Sequence, residues 1–502
     1  MKLLKNLCRI NFLLLFVLNV LSANAQTWTK IGTDITGESK DDGCGESVSI
    51  NSDGSIVAVG APWNSPKYQW AGHVRIYKNN SGVWTQIGKD IDGNRQAENS
   101  GTAISLSGDG SIIAVGAPGK ESYNGGQNVA PSKGYVRIYK NLNSIWTQVG
   151  QEITDTNTSM FGESVSLSSD GSIVAAKGSS WCSSCNSWSK VSFVKVFKNI
   201  NGTWTQIGKN FGVDSNSKYN KTCLSGDGNT VAVYNGNRTD DDENYDTAIV
   251  RIFRNNNGTW TKIGADITGV LVESISINSD GNVIAVGTPR VDWPDTCYVR
   301  IYKNINGIWT QVGKDIKGDE EEYFGYSLSI NSDGNVVAIG APHNNNNGDE
   351  SGAVRVYKNI NGYWTELYDE IQGKGDLAYC GTSVAISSDG NILVTGSTHD
   401  GGNGIGVASV YGSANTSNIH PKSNDIFYMI YPNPTESSFY IETEFKYLGA
   451  GFSIFSTTGA ELMKGNLDSE VIKLNLSDLT NGLYLLSIRN ADINQVFKIV
   501  KK

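Results

Sequence analysis

Ser47-Val48-Ser49-Ile50, Asn51-Ser52-Asp53-Gly54-Ser55, Ile56-Val57-Ala58-Val59-Gly60-Ala61-Pro62 is the stretch on which the fold turns. Its first four residues alternate polar and apolar, the period of a strand with one covered face. Asn51 to Gly54 reverse the chain: Asp53 can bond nearby backbone, and Gly54 accepts positive φ without steric cost. Ile56 to Val59 is a continuous apolar run, which predicts a strand covered on both faces, and Pro62 ends it because proline cannot donate to a ladder. After a loop, His73-Val74-Arg75-Ile76-Tyr77 alternates again. Lys78 to Gly82 reads as a hairpin connection, echoed at Asn201-Gly202, Asn306-Gly307 and Asn361-Gly362. Trp84-Thr85-Gln86-Ile87 makes a fourth strand, its indole a wedge for a seam between sheets.

The unit recurs. Trp-Thr segments begin at Trp28, Trp84, Trp146, Trp204, Trp260, Trp309 and Trp364, and Asp-Gly or similar turns follow at Asp53, Asp109, Asp170, Asp227, Asp280, Asp333 and Asp389. The tryptophans lie about 50 to 60 residues apart, a spacing that suits one propeller blade per copy. The array opens with a Trp segment and closes without one after Val410-Tyr411-Gly412. The last copy supplies three strands, Ser383–Ile386, Ile392–Thr395 and Val407–Tyr411, and Trp28–Ile31 would be its fourth. The expected fold is all-β: a seven-bladed β-propeller closed by the N-terminal strand, followed by a small C-terminal β-sandwich. An open solenoid would leave bare edges and need caps that the sequence lacks.

Residues 1–25 read as a signal peptide: Lys2, Lys5 and Arg9 precede an apolar run, and Ala23-Asn24-Ala25 suits cleavage. The propeller is assigned to 26–413, a polar linker to 414–425 and a second domain to 426–502. No later stretch is apolar enough to span a membrane. A net charge of -9 argues against nucleic acid.

Phe161-Gly162 and Phe324-Gly325, with Gly60-Ala61-Pro62, Gly116-Ala117-Pro118 and Gly340-Ala341-Pro342, resemble FG-GAP repeats, the family that includes the propeller of integrin α subunits. Cys44 and Cys380 depart from it, standing where Phe would be, and the fourth copy lacks the Gly-Ala-Pro triplet. The tail, with Tyr431-Pro432-Asn433-Pro434, Gly459, Gly482, Tyr484 and Lys498, resembles the type A C-terminal sorting domain of the type IX secretion system of Bacteroidota. That resemblance implies a partner in the type IX secretion machinery, passage to the outer membrane, and a secreted or surface-attached product.

Both long connections of every blade would emerge on one face, and binding residues concentrate on loops held by a rigid frame. Candidate ligand-binding aromatics there are Trp63, Tyr68, Trp70, Tyr123, Trp181, Trp188, Tyr245 and Trp293, interleaved with Asn64, Asn124, Asn186, Asn237 and Asn344 to Asn347. Rings stack on sugars and amides bond hydroxyls; the bland alternative is that these rings pack loop on loop. No metal site is assigned. Ca²⁺ is the one ion considered, and the turns disfavour it because Ser49 and Asn51 stand where carboxylates would be needed. The acidic runs Asp41-Asp42, Asp240 to Glu243, Asp319 to Glu322 and Asp349-Glu350 stay open as cation sites or as solvated charge. Cys182 and Cys185 suit a local disulfide. Cys44 and Cys380 occupy matching places in blades one and seven, and the alternatives are a bridge across the closing seam or two buried thiols. His73, His343, His399 and His420 share no evident slot, and no hydrolase elbow, metalloprotease helix or phosphate loop appears. The reading is a binding propeller for extracellular glycan or protein. Its rivals are a polysaccharide hydrolase or lyase using the same face, and a structural or adhesive surface component.

Overall fold

A computed structural model describes residues 27–502 except 120–132, 156–159, 182–189, 213–216, 220, 238–246, 271, 290–296, 320, 401–403, 414–427, 432–434, 436, 444–448, 457–459, 470 and 490–493. It falls into two units, 1–421 and 422–502. Every regular element among the described residues is a strand.

The first unit is a β-propeller. Blade 1 is Ser47–Ile50, Ile56–Ala61, His73–Asn80 and Val83–Gln86, paired antiparallel in that order. Among the described residues six further sheets follow the same plan, the last formed by Cys380–Ile386, Ile392–Ser397 and Val407–Gly412 with Thr29–Lys30 at its outer edge. Thr29 stands opposite Gly412 and Lys30 opposite Tyr411, so the two ends of the array share one sheet. The Asp-Gly turns tell the same story in backbone hydrogen bonds. Ser52 N–H donates to Gly108 O (2.9 Å), Gly108 to Ser169 (2.8 Å) and Ser169 to Gly226 (2.8 Å). Asp227 donates to Ser279 (3.0 Å), Ser279 to Ser332 (3.2 Å), Ser332 to Ser388 (3.2 Å), and Ser388 back to Ser52 (2.9 Å). The series returns to its start.

The outer edge continues past the fourth strand expected at Trp84–Ile87. In blade 1 Val83–Gln86 pairs with the lower half of His73–Asn80, and Ile91–Asp92 pairs with its upper end. Gly88 (φ 76°) makes the step between them, and a Cβ there would lie 2.6 Å from Ser144 O of the next blade. The apolar second strands fill the seams: Val57, Val59, Ile392, Val394 and Val410 pack between blades 7 and 1, and Phe161 and Phe324 are fully buried in theirs.

The disulfide considered between Cys44 and Cys380 does not form; both are free, buried thiols. Cys44 packs in the seam between blades 7 and 1, while Cys380 packs with Trp28, Val336 and Val354 in the seam between blades 6 and 7. The sheet of blade 7 lies between them. Burial pushes the Cys44 thiol up to about 12.

The second unit is a sandwich. One sheet joins Tyr428–Tyr431, Ser438–Thr443 and Val471–Asn475; the other orders Glu461–Asn466, Gly451–Ser456, Gly482–Arg489 and Asn494–Lys501. Phe439, Ile441, Ile454, Leu474, Leu486, Ile488 and Ile499 form its core.

Candidate functional site on the loop face

The face opposite the Asp-Gly turns carries two loop frames of the same build. In blade 1 Asn64 N–H donates to Ala61 O (3.2 Å) and Gly72 N–H to Asn64 O (2.9 Å); in blade 6 Asn344 donates to Ala341 (3.2 Å) and Gly352 to Asn344 (2.9 Å). Each Asn side chain caps a buried carboxylate from the preceding interblade loop, Asn64 Nδ2 to Asp42 (2.9 Å) and Asn344 Nδ2 to Glu322 (2.7 Å). Each frame leans on the next interblade loop through Asn99 N–H to Trp70 O (3.1 Å) or Tyr379 N–H to Glu350 O (3.1 Å). Non-glycine residues take left-handed φ at matched places: Trp70 (54°), Ala97 (57°) and Asn99 (54°) in the first frame, Glu350 (50°), Leu377 (58°) and Tyr379 (54°) in the second. Such residues persist only where surrounding bonds over-determine the loop, and they cluster at functional sites.

These frames aim different side chains outward. In blade 1 Trp63 is 40% exposed and Tyr68 37%, with Trp70 half-buried; Lys67 Nζ sits 5.0 Å over the Tyr68 ring. Across blades 6 and 7 four rings follow one another: Tyr323 to His343 at 4.2 Å, His343 to Tyr379 at 5.5 Å, and Tyr379 to His399 at 5.2 Å between centroids. Glu350 ties this series together, accepting from the Tyr379 hydroxyl (2.5 Å) and meeting His343 Nδ1 at 2.8 Å. Those two bonds, Tyr379 first, hold the Glu350 carboxyl below its ordinary range, and the same Glu350 contact raises the Tyr379 phenol to about 12. Exposed Asn345, Asn346, Asn347, Asp349 and Asp376 border the rings.

Of the eight aromatics singled out from sequence, Trp63, Tyr68 and Trp70 share the blade 1 loop. Trp181 ends a strand, Ile173–Trp181, whose last side chains are not described. Tyr123, Trp188, Tyr245 and Trp293, with Cys182 and Cys185, lie outside the described residues. The ring series of blades 6 and 7 is absent from the candidates that sequence reasoning offers, in which the histidines share no evident slot. His343 and His399 do share one: each stands three residues after the glycine of Gly340-Ala341-Pro342 or Gly396-Ser397-Thr398, where blade 1 has Trp63. Laying the repeats over one another on those triplets would have found it.

One further group of chemistry-bearing residues lies at the rim. His73 Nδ1 is 3.7 Å from Asp90 Oδ2 and 3.9 Å from Glu38 Oε2, and the three ligand atoms lie within 4.8 Å of one another. Burial, then the neighbouring Arg75, holds the His73 imidazole below its ordinary value.

In the tail, Tyr484 is buried and its hydroxyl donates to Thr480 O (2.5 Å), closing the turn before its strand. Thr435 N–H donates to Val500 O (2.8 Å) and Lys502 N–H to Thr435 O (2.9 Å), which clips the residue after the Tyr431–Pro434 motif to the terminal strand. Gly482 opens Gly482–Arg489, and Lys498 lies in Asn494–Lys501. Pro432, Asn433, Pro434 and Gly459 lie outside the described residues.

Comparison with family models matches residues 429–502 to the secretion system C-terminal sorting domain and residues 309–357 to the FG-GAP repeat. The tail is a type IX sorting domain. The propeller thus carries an FG-GAP repeat, and the chain is exported by the type IX secretion system, secreted or attached to the cell surface, with the secretion machinery as one of its partners. No helix among the described residues is long and apolar enough to cross a membrane. Among curated proteins no match was found. Similar solved structures include an oligogalacturonate lyase from Vibrio parahaemolyticus (10% identity, 78% of this chain and 94% of that one, TM-score 0.46). Others are the periplasmic gluconolactonase PpgL of Pseudomonas aeruginosa (11%, 84% and 99%, TM-score 0.43) and the β-propeller domain of the Trilobed protease from Pyrococcus furiosus (11%, 70% and 90%, TM-score 0.41).

Proposed function

We propose that this exported propeller is a glycan-binding protein whose contact surface is the loop face of blades 6, 7 and 1. The observation that carries the reading is the ring series Tyr323, His343, Tyr379 and His399, held on a frame that blade 1 duplicates to present Trp63. Flat rings in a row offer stacking surface to sugar faces, and their strained, over-determined backbone means little order is lost on binding. The bordering amides and carboxylates suit hydroxyl groups, and their mixture gives orientation as well as affinity. A glycan array probed with the mature chain, beside Tyr379→Ala and Trp63→Ala, tests this. The expected result is binding to a defined glycan class that each variant weakens by about fivefold or more, one stacked ring being worth about 1 kcal/mol or more. Equal signals from parent and both variants would remove the proposal.

A second reading rests on Glu350, which holds an imidazole and a phenol at once. Such an arrangement can orient a base and an acid at one sugar ring, as a hydrolase or lyase of polysaccharide requires. It predicts new reducing ends or unsaturated products from the bound polymer, lost in Glu350→Gln while binding survives. Binding without product formation by the parent eliminates it.

A further inference from the structure

Among the described residues, five blades close a cation of the third strand onto an acid within 3.2 Å. Arg137 binds Glu152 (2.7 Å), Arg251 Asp266 (3.2 Å), Arg300 Asp315 (2.9 Å) and Arg355 Glu370 (2.9 Å), and in blade 3 Lys195 binds Asp155. Blade 1 has the same parts, Arg75 and Asp90, yet leaves them apart. Arg75 donates instead to Thr36 O (2.9 Å) and lies 3.7 Å from Glu38 Oε1. Asp90 accepts from Gln86 Nε2 on Oδ1 (2.6 Å), which leaves Oδ2 facing His73. His73 stands where blades 2 and 5 carry Tyr135 and Tyr298, whose rings lie under their arginines at 4.0 and 4.3 Å.

His73 is 1% exposed and neither of its ring nitrogens has a hydrogen-bond partner. A buried orphan of this kind destabilises the fold unless something satisfies it. Nδ1 points between two carboxylate oxygens at 3.7 and 3.9 Å. A tetrahedral zinc ion with bonds of about 2.0–2.2 Å needs donors about 3.3–3.6 Å apart, so each carboxylate must draw in by a few tenths of an ångström toward His73, and the two carboxylate oxygens toward each other from within 4.8 Å.

We infer that Glu38, His73 and Asp90 form a binding site for a divalent transition-metal ion, zinc by preference, at the join between the donated N-terminal segment and blade 1. One imidazole with two carboxylates is a borderline donor set that suits zinc over calcium or magnesium, which want all-oxygen shells. Three protein ligands leave a fourth position for water or an incoming group. The topology gives the ion a purpose. Glu38 follows Ile35–Thr36, which pairs with Ala408 and Val407 of blade 7, whereas His73 and Asp90 belong to blade 1. A metal here would pin the segment that leaves the outer edge of blade 7 onto blade 1, the blade into which that segment leads. Arg75 adds positive charge beside Glu38, so binding requires the Glu38 carboxylate to answer both.

The test uses the full mature chain, stripped with EDTA and titrated with zinc chloride by calorimetry, with excess Ca²⁺ and Mg²⁺ present, beside His73→Phe and Asp90→Asn. Phe193 fills the equivalent place in blade 3, so His73→Phe is expected to fold. The expected result is one zinc per parent chain, raised Tm on binding, and affinity lower by about 100-fold or more in His73→Phe. X-ray absorption of the zinc-loaded parent is expected to show nitrogen and oxygen at about 2.0–2.2 Å without sulfur at about 2.3 Å. No zinc uptake by the parent, undiminished uptake by His73→Phe, or a sulfur shell would each overturn the assignment.

Discussion

Six outer strands reach their blades through hairpins; the seventh, Thr29–Lys30, comes from the other end of the chain, and the two kinds are built differently. In the six, the indole N–H donates to a carbonyl of the preceding blade. Trp84 reaches Ile31 (2.8 Å), Trp146 Ile87 (2.8 Å), Trp204 Val149 (2.9 Å), Trp260 Ile207 (3.1 Å), Trp309 Ile263 (3.0 Å) and Trp364 Val312 (2.9 Å). Trp28 Nε1 is buried with no partner. Beneath each of the six indoles lies a glycine such as Gly150, where a Cβ would sit 2.5 Å from Gly202 O of the next blade. The corresponding place under Trp28 holds Tyr368 at φ 66°, its ring edge-on to the indole at 5.6 Å. Register in the six is dictated by the hairpin, so the tryptophan can be spent on a directional bond. The donated strand has no hairpin, and it is held by aromatic contact and by an ion cluster of Lys30, Asp34 and Lys374 with the Ser409 hydroxyl.

Removing the donated strand should break the comparison outright. Deleting residues 26–33 strips one edge from blade 7 and empties the Trp28 site against Val336, Val354 and Ile371, a loss of about 3–5 kcal/mol from that side chain alone. Urea unfolding followed by fluorescence is expected to shift strongly to lower denaturant. A truncated chain that melts like its parent would mean the ring does not depend on this strand. Next in size is a pair of matched substitutions. Trp146→Phe removes a made hydrogen bond and strands Ile87 O, costing about 1–2 kcal/mol beyond the change in volume. Trp28→Phe removes a donor that has no partner, so its polar cost is absent and the variant should be the more stable of the two by about 1 kcal/mol or more. Equal urea midpoints would show that the two indoles are held alike.

Most of this architecture could be read in the residues. Asp-Gly turns, apolar second strands and Trp segments each have one physical solution, and their repetition reports which segments stack. The continuation of the outer edge escaped notice because Gly88 and its counterparts read as strand ends, not as steps within one edge. The ring series escaped because Tyr323 and His343 come from different loops, and only the third dimension brings them to 4.2 Å. The Glu38, His73 and Asp90 group escaped for the same reason: none of its members lies near another in the chain. What sequence could not supply about Cys44 and Cys380 was the side of the sheet; matched positions in neighbouring blades place thiols in neighbouring seams, not in one.

The smallest expected effect concerns the ion cluster that holds the donated strand. Burial alone would raise the Asp34 carboxyl, but hydrogen bonds from Lys30, Lys374 and Ser409 outweigh it and hold the group below its ordinary range. A carboxyl with a depressed folded value contributes stability that is present above its unfolded value of about 3.9 and disappears as pH falls through the lower folded value. Asp34→Asn should therefore lower the urea midpoint near neutral pH by the equivalent of about 1 kcal/mol, since the cluster is partly exposed and screened by solvent. The parent and the variant should converge as pH is taken below about 4. High salt should narrow the gap as well, because Lys374 is half-exposed and its attraction to Asp34 is open to counterions. A gap that stays constant through the acid limb would mean that Asp34 matters as a neutral hydrogen-bond acceptor for Ser409, and that the donated strand is kept in place by Trp28 and Tyr368 without help from charge.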